Sequence, residues 1–273
     1  MPLGETDLGG IGVIHDGNAH EYVDELNTLS GEFGSGHVER PYSSAGLGSY
    51  AKRYNDEVYP RSQWDDLIRR QDDNHTSPWH HHMASNVPIL DQNGFPYCWM
   101  FGLVAGVMNC YASSGLEVPH LSATAPAAQG KNYKQEGGWA GEAIRYVHQY
   151  GLPTIDTWPE KSIDRRHARS HEQELDAKRH GIVEFCEIPQ KGFDVAASIL
   201  LHPQRPRPVT MGLMWWGHLV CGLRLVKVGR GYGILIVNSW GRSWAENGYK
   251  VLVESKATAH EYVGVMNVKP RSA

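Results

Sequence analysis

The sequence predicts an α+β fold, with helices first and an antiparallel sheet second. Three observations carry this reading. Residues 98–112 are almost entirely apolar or small and show no polar face, so they form a buried helix. Residues 139–150 follow as an amphipathic helix. After Pro206 the texture changes to β-rich runs separated by Gly or polar turns.

In chain order, residues 1–60 hold 10 Asp+Glu against 3 Lys+Arg, a net charge of −7, and 10 of the 30 glycines. The expected organisation is an acidic, Gly-rich arm over 1–57 and a globular domain over 58–273. Inside the arm Tyr22, Val23, Leu26 and Leu29 share a helical face that Gly31 could end. The stretch 34–50 reads as irregular. In the buried helix Gly102, Ala105 and Gly106 permit close backbone approach, and Gly115 marks a stop. The second helix carries Ala140, Ala143, Ile144, Val147 and Tyr150 as its apolar stripe and ends at Gly151. A charged, exposed helix is expected within 165–180 and a short one near 194–201. Strands are expected at 208–215, 218–228, 232–238, 248–254 and 261–268, with a hairpin turn at Gly229-Arg230-Gly231.

Composition narrows the function classes. The chain has 273 residues, 41% apolar and 21% charged, with a net charge of −4, which argues against broad electrostatic binding to nucleic acid. No apolar run approaches the roughly 18 residues of a membrane span, and no secretory signal pattern is visible at the start. The four cysteines, Cys98, Cys110, Cys186 and Cys221, are spaced 12, 76 and 35 apart without a CxxC pair. They read as reduced thiols, so no disulfide and a cytoplasmic or virion-associated location are expected. His80-His81-His82 reads as an exposed loop rather than a metal site. No metal or organic cofactor is expected. The arm would dock on its own domain, a neighbouring copy or a protein partner.

The chemistry centres on Cys98. A thiol at a helix N-terminus faces the positive end of the macrodipole, which favours the nucleophilic thiolate. Gln92, six residues earlier, can loop back and share an oxyanion with the Cys98 N–H. His218 begins one predicted strand and Asn238 ends the next, so a hairpin brings them together and the amide oxygen can orient the imidazole.

Gln92, Cys98-Trp99, His218 and Asn238-Ser239-Trp240-Gly241 resemble the papain-like cysteine peptidases. His218 lies 120 residues after Cys98 and Asn238 lies 140 after it. The family's Cys-to-His and Cys-to-Asn spacing is about 130–150. Gly137-Gly138-Trp139 resembles the family's cleft glycine pair. The stretch 243–249 resembles its Trp-Gly-Glu-Asn-Gly-Tyr, with Ala245 in the glycine place. The resemblance covers residues 60–268 and implies a two-lobe fold. A helical lobe carries Cys98, and a β-barrel-like lobe carries His218 and Asn238. It implies catalysis by Cys98, His218, Asn238 and Gln92 on a peptide or protein substrate. Gly137, Gly138, Trp139, Trp216 and Gly217 would line the cleft, and Trp99 and Trp240 would support the site. Phe95-Pro96-Tyr97 replaces the family's Cys-Gly-Ser, removing a common disulfide. The segment from Val209 to His218 is unusually short. A viral or bacterial intracellular member is the expected kind. The alternative is a papain-fold structural or interaction module, such as a component of a virion or other large assembly.

Overall fold

A computed structural model describes residues 8, 10–28, 36–39, 52–167, 170–188 and 192–269. Its elements are β1 (Val13–Ile14), α1 (Ala19–Thr28), β2 (Lys52–Arg53), α2 (Trp64–Asn74), α3 (Pro78–Ala84), α4 (Cys98–Ser113), α5 (Thr124–Gly130), α6 (Ala140–Tyr150), α7 (His171–Arg179), β3 (Ile182–Ile188), α8 (Phe193–Leu200), β4 (Val209–Leu213), β5 (His218–Val228), β6 (Gly231–Val237), β7 (Tyr249–Val253) and β8 (Glu261–Val268). The fold is α+β, with helices α2–α6 preceding most of the sheet. Leu29 and Gly31 of the expected first helix lie outside the described residues.

The strands form one sheet in the order β1-β7-β6-β5-β4-β8-β3-β2. The inner pairings are antiparallel; β1 joins β7 and β2 joins β3 in parallel at the two edges. Both edge strands come from the acidic arm, so the arm reaches each side of the sheet. Sequence reasoning missed β1, β2, β3, α2, α3 and α5.

Apolar side chains fill two layers. One gathers α4, α6 and the Leu219, Cys221 and Leu223 side of β5. The other gathers α2, α8 and the tryptophans Trp216, Trp240 and Trp244. Alternation along β5 therefore sends Leu219 and Cys221 one way and Val220 the other. Helix α4 is buried along its whole length to Ala112, as its lack of a polar face requires. Gly102 sets how near α4 comes to β5: a Cβ there would stand 2.4 Å from Leu219 Cδ2 and 2.9 Å from Leu219 O.

The histidine run is a correction. Residues 80–82 lie in α3, not in an exposed loop, and His82 is buried. Ser77 caps the helix and Pro78 starts it. His82 Nδ1 lies 2.8 Å from Asn109 Oδ1, and its Nε2 lies 2.7 Å from Tyr249 Oη. The ring thereby ties α3 to α4 and β7.

Candidate active site

Cys98 is the first residue of α4 and is completely buried, as is Cys221; all four cysteines are free. Burial pushes the Cys98 thiol up to about 12. The backbone N–H groups of Leu219, Trp99, His37 and Cys98 oppose that by favouring the thiolate. Leu219 directly follows His218, so the head of β5 sits beside the sulfur.

The β5–β6 hairpin, in register at Cys221 and Val237, returns Asn238 to the start of β5. His218 Nε2 lies 2.6 Å from Asn238 Oδ1, which also accepts the Ser239 N–H at 2.7 Å. An amide oxygen only accepts, so Nε2 carries the proton and Nδ1 is left as a lone-pair acceptor. Nδ1 is buried without a hydrogen-bond partner. The expected Cys98–His218 hydrogen bond is thus not made in this state. Burial lowers the imidazole to about 3, while the Asn238 bond pulls it up and His37 pulls it down. A neutral thiol beside a neutral imidazole is the form a dry site favours.

Four aromatic rings keep this site dry. Trp240 lies 4.5 Å from the His218 ring and Trp216 lies 5.2 Å from it. Trp216 meets Trp240 edge-on at 5.3 Å, and Trp244 closes on Trp240 at 5.5 Å. Tyr22 from α1 covers Trp216, whose Nε1 donates to the Tyr22 carbonyl at 3.3 Å.

Gln92 is fixed at three points. Its backbone N–H donates to Ser239 O at 2.9 Å, its Oε1 accepts from Ser239 Oγ at 2.6 Å, and its Nε2 donates to Phe95 O at 2.7 Å. Ser239 was present in the sequence motif, but its hold on the Gln92 amide was not visible there.

The remaining predicted residues form the cleft walls, and residues 36–39 of the arm lie between them. Val38 N donates to Gly138 O at 2.9 Å and Gly138 N to Gly36 O at 2.8 Å, a parallel bridge centred on His37. Across the cleft Gly217 O accepts from Gly36 N at 3.2 Å and His37 N at 3.0 Å. Gly137 and Gly138 must lack side chains here. A Cβ on Gly137 would meet Gly36 O at 2.4 Å, and one on Gly138 would meet the Trp99 ring at 2.7 Å. Trp139 caps α6 and is buried, with Arg145 over its ring at 5.4 Å; Lys131 lies 5.1 Å from the Trp99 ring. The His37 N–H, not its carbonyl, faces the Cys98 sulfur. A thiolate attacks carbonyl carbon, so the segment covers the nucleophile without offering it a bond to cut. Nothing local in the sequence marked His37.

A cysteine at the head of a central helix, beside a His–Asn pair on an antiparallel sheet, defines the two-lobed thiol peptidase class of fold. No family model matches the chain. It is 27% identical to papain from Carica papaya over 181 residues, covering 59% of this chain and 50% of papain's own length. It is 24% identical to Peptidase 1 from Psoroptes ovis over 189 residues, covering 62% and 57%. The chain thus spans little more than half the length of these relatives. Among solved structures, xylellain from Xylella fastidiosa matches with a TM-score of 0.58 at 14% identity, covering 85% of this chain and 96% of that one. Digestive procathepsin L 3 of Tenebrio molitor matches at 0.57 and 14%, covering 93% and 82%. The chain is a divergent member of the papain-like cysteine peptidase family.

Proposed function

We propose that the protein hydrolyses peptide bonds through Cys98, His218 and Asn238, with Gln92 in the oxyanion hole. The observation that carries this reading is the His218–Asn238 bond at 2.6 Å. It sets the tautomer that leaves Nδ1 free to accept a proton at the head of α4. His218 Nδ1 takes the Cys98 proton, and the sulfur attacks the substrate carbonyl carbon. The electron pair moves to the oxygen, held by the Cys98 N–H and Gln92 Nε2. Collapse expels the amine, which takes the proton from the imidazolium. Water, deprotonated by His218, then cleaves the thioester and releases the acid and the free thiol.

In this reading residues 1–57 are an arm that keeps the enzyme closed, and 58–273 the catalytic domain. The similar procathepsin L 3 and the Amb a 11 cysteine protease from ragweed pollen were solved as proenzymes. That supports a latent state here, with residues 36–39 over Cys98. The free thiols fit a reducing compartment. The relatives give no support to a virion role.

Hydrolysis of fluorogenic peptides tests the reading on the full chain. Val38→Pro, which removes the N–H donated to Gly138, serves as an opened form. Cys98→Ser should abolish turnover while preserving the fold. If the opened form and its Cys98→Ser version are equally inert, the structural-module alternative replaces the enzyme.

A further inference from the structure

The mechanism leaves one buried titratable group unused. His37 comes from the arm, and its ring is buried in the cleft with both nitrogens lacking a hydrogen-bond partner. The ring fills space that Gly212 leaves on β4, where a Cβ would stand 2.6 Å from both Cε1 and Nε2. We infer that His37 is a proton-operated latch: protonation of its ring expels residues 36–39 from the cleft and uncovers Cys98. The inference rests on the peptidase reading only for what the opening serves.

The surroundings of the ring explain why a cation would leave. From β5 it faces His218, and from the turn before β8 it faces His260; both act against a positive charge. From α4 it meets the Cys98 site, where the thiol is neutral. On β8, the Glu261 carboxylate accepts the N–H groups of Ala140 and Gly141 at 2.9 and 3.2 Å. On α6, Glu142 lies beside Gly138 and is paired with Lys131 at 2.6 Å. Both carboxylates are committed elsewhere. Glu39 is the acid within the segment itself, two residues along. The neutral ring already gives up its hydrogen bonds to water, and an imidazolium would add the cost of an uncompensated buried charge.

The sign follows from linkage. Burial, with His260 adding to it, lowers His37 from 6.5 to about 4 in the docked segment. The released arm binds the proton more tightly, so docking is at full strength above pH 6.5. It weakens as the pH falls and levels off below 4. Between pH 7.5 and 5 the opening constant should rise about thirty-fold.

Hydrogen exchange of the Val38 and Gly138 amides in the full chain, corrected for intrinsic rates, reads this opening without turnover. The expected result is a rise of about thirty-fold from pH 7.5 to 5. His37→Phe keeps a ring of similar size that takes no proton, and there the corrected exchange should be flat. An equal rise in His37→Phe, or no rise in the native chain, overturns the latch. Should His37→Phe fail to dock at pH 7.5, the His37 ring resonance decides. A midpoint well below 6.5 in the native chain supports the latch, and one at 6.5 overturns it. The Cys98→Ser variant, which cannot hydrolyse, should open with the same pH dependence, so a failed peptidase reading and a failed latch are told apart.

Discussion

Gly102→Ala is the sharpest single test of how the two halves of the site are held together. The added methyl would lie 2.4 Å from Leu219 Cδ2 and 2.9 Å from Leu219 O, one residue from His218. The leucine methyl can rotate away, but the carbonyl belongs to β5 and must move by about 0.5 Å to restore ordinary contact. Overpacking of this kind costs about 2 kcal/mol. Alanine returns about 1 kcal/mol of helix propensity. The net expectation is a loss of about 1 kcal/mol, read as a lower urea midpoint by tryptophan fluorescence. Because α4 carries Cys98 and β5 carries His218, the same displacement separates nucleophile and base. A misplacement of about half an ångström should slow Cys98 alkylation and peptide hydrolysis in the opened Val38→Pro form by about tenfold. Gly106→Ala, one turn on, is the control. Its methyl would meet only Thr210 Oγ1 at 2.9 Å and Val265 Cγ2 at 3.5 Å, both side-chain atoms. It should be neutral or mildly stabilising and leave Cys98 unchanged. A Gly102→Ala protein as stable and as reactive as the native one would refute the argument.

Four further outcomes follow from the same geometry. Burial holds His82 near 4 instead of 6.5, so its neutral form belongs to the folded state. Stability should fall by about 2–3 kcal/mol between pH 7.5 and 4.5, and His82→Gln should flatten that slope in urea unfolding curves. Ala245 sits at φ 47 where the family has glycine, so Ala245→Gly should raise the urea midpoint by about 0.5–1 kcal/mol as backbone strain outweighs lost chain stiffness. Gln92→Ala should cost about 3 kcal/mol of barrier, a hundredfold in kcat, in the opened form. Asn238→Ala should lose less than His218→Ala, because the amide orients the base without moving a proton itself.

Legibility tracked how local the determining contacts are. Helix α4 was readable because an apolar run without a polar face has only one place to go. The His218–Asn238 pair was readable because one hairpin turn separates the two strands, and strand pairing does the rest. The two-residue strands β1 and β2 were not, since Val13 pairs with Val251 and Lys52 with Cys186, far along the chain. Helix α3 did carry a start signal, Ser77-Pro78, but three successive histidines outweighed it in the reading. What buries His82 is Asn109 and Tyr249, which no window around residue 82 contains. His37 escaped notice for the same reason: its partners are Gly138, Gly212 and Gly217, residues chosen for the side chains they lack.

The arm is fastened to the sheet on both sides of the covering segment, by β1 at Val13–Ile14 and by β2 at Lys52–Arg53. Residues 36–39 therefore stay near the cleft after they leave it. A tethered segment of this length competes at an effective concentration in the millimolar range. An incoming peptide must beat that local concentration, so weak substrates present at micromolar levels would be excluded even from a competent site. Closure would also be first order and independent of how much enzyme is present. The device would act as a reversible threshold on substrate, set by chain length and affinity rather than by a cut in the chain.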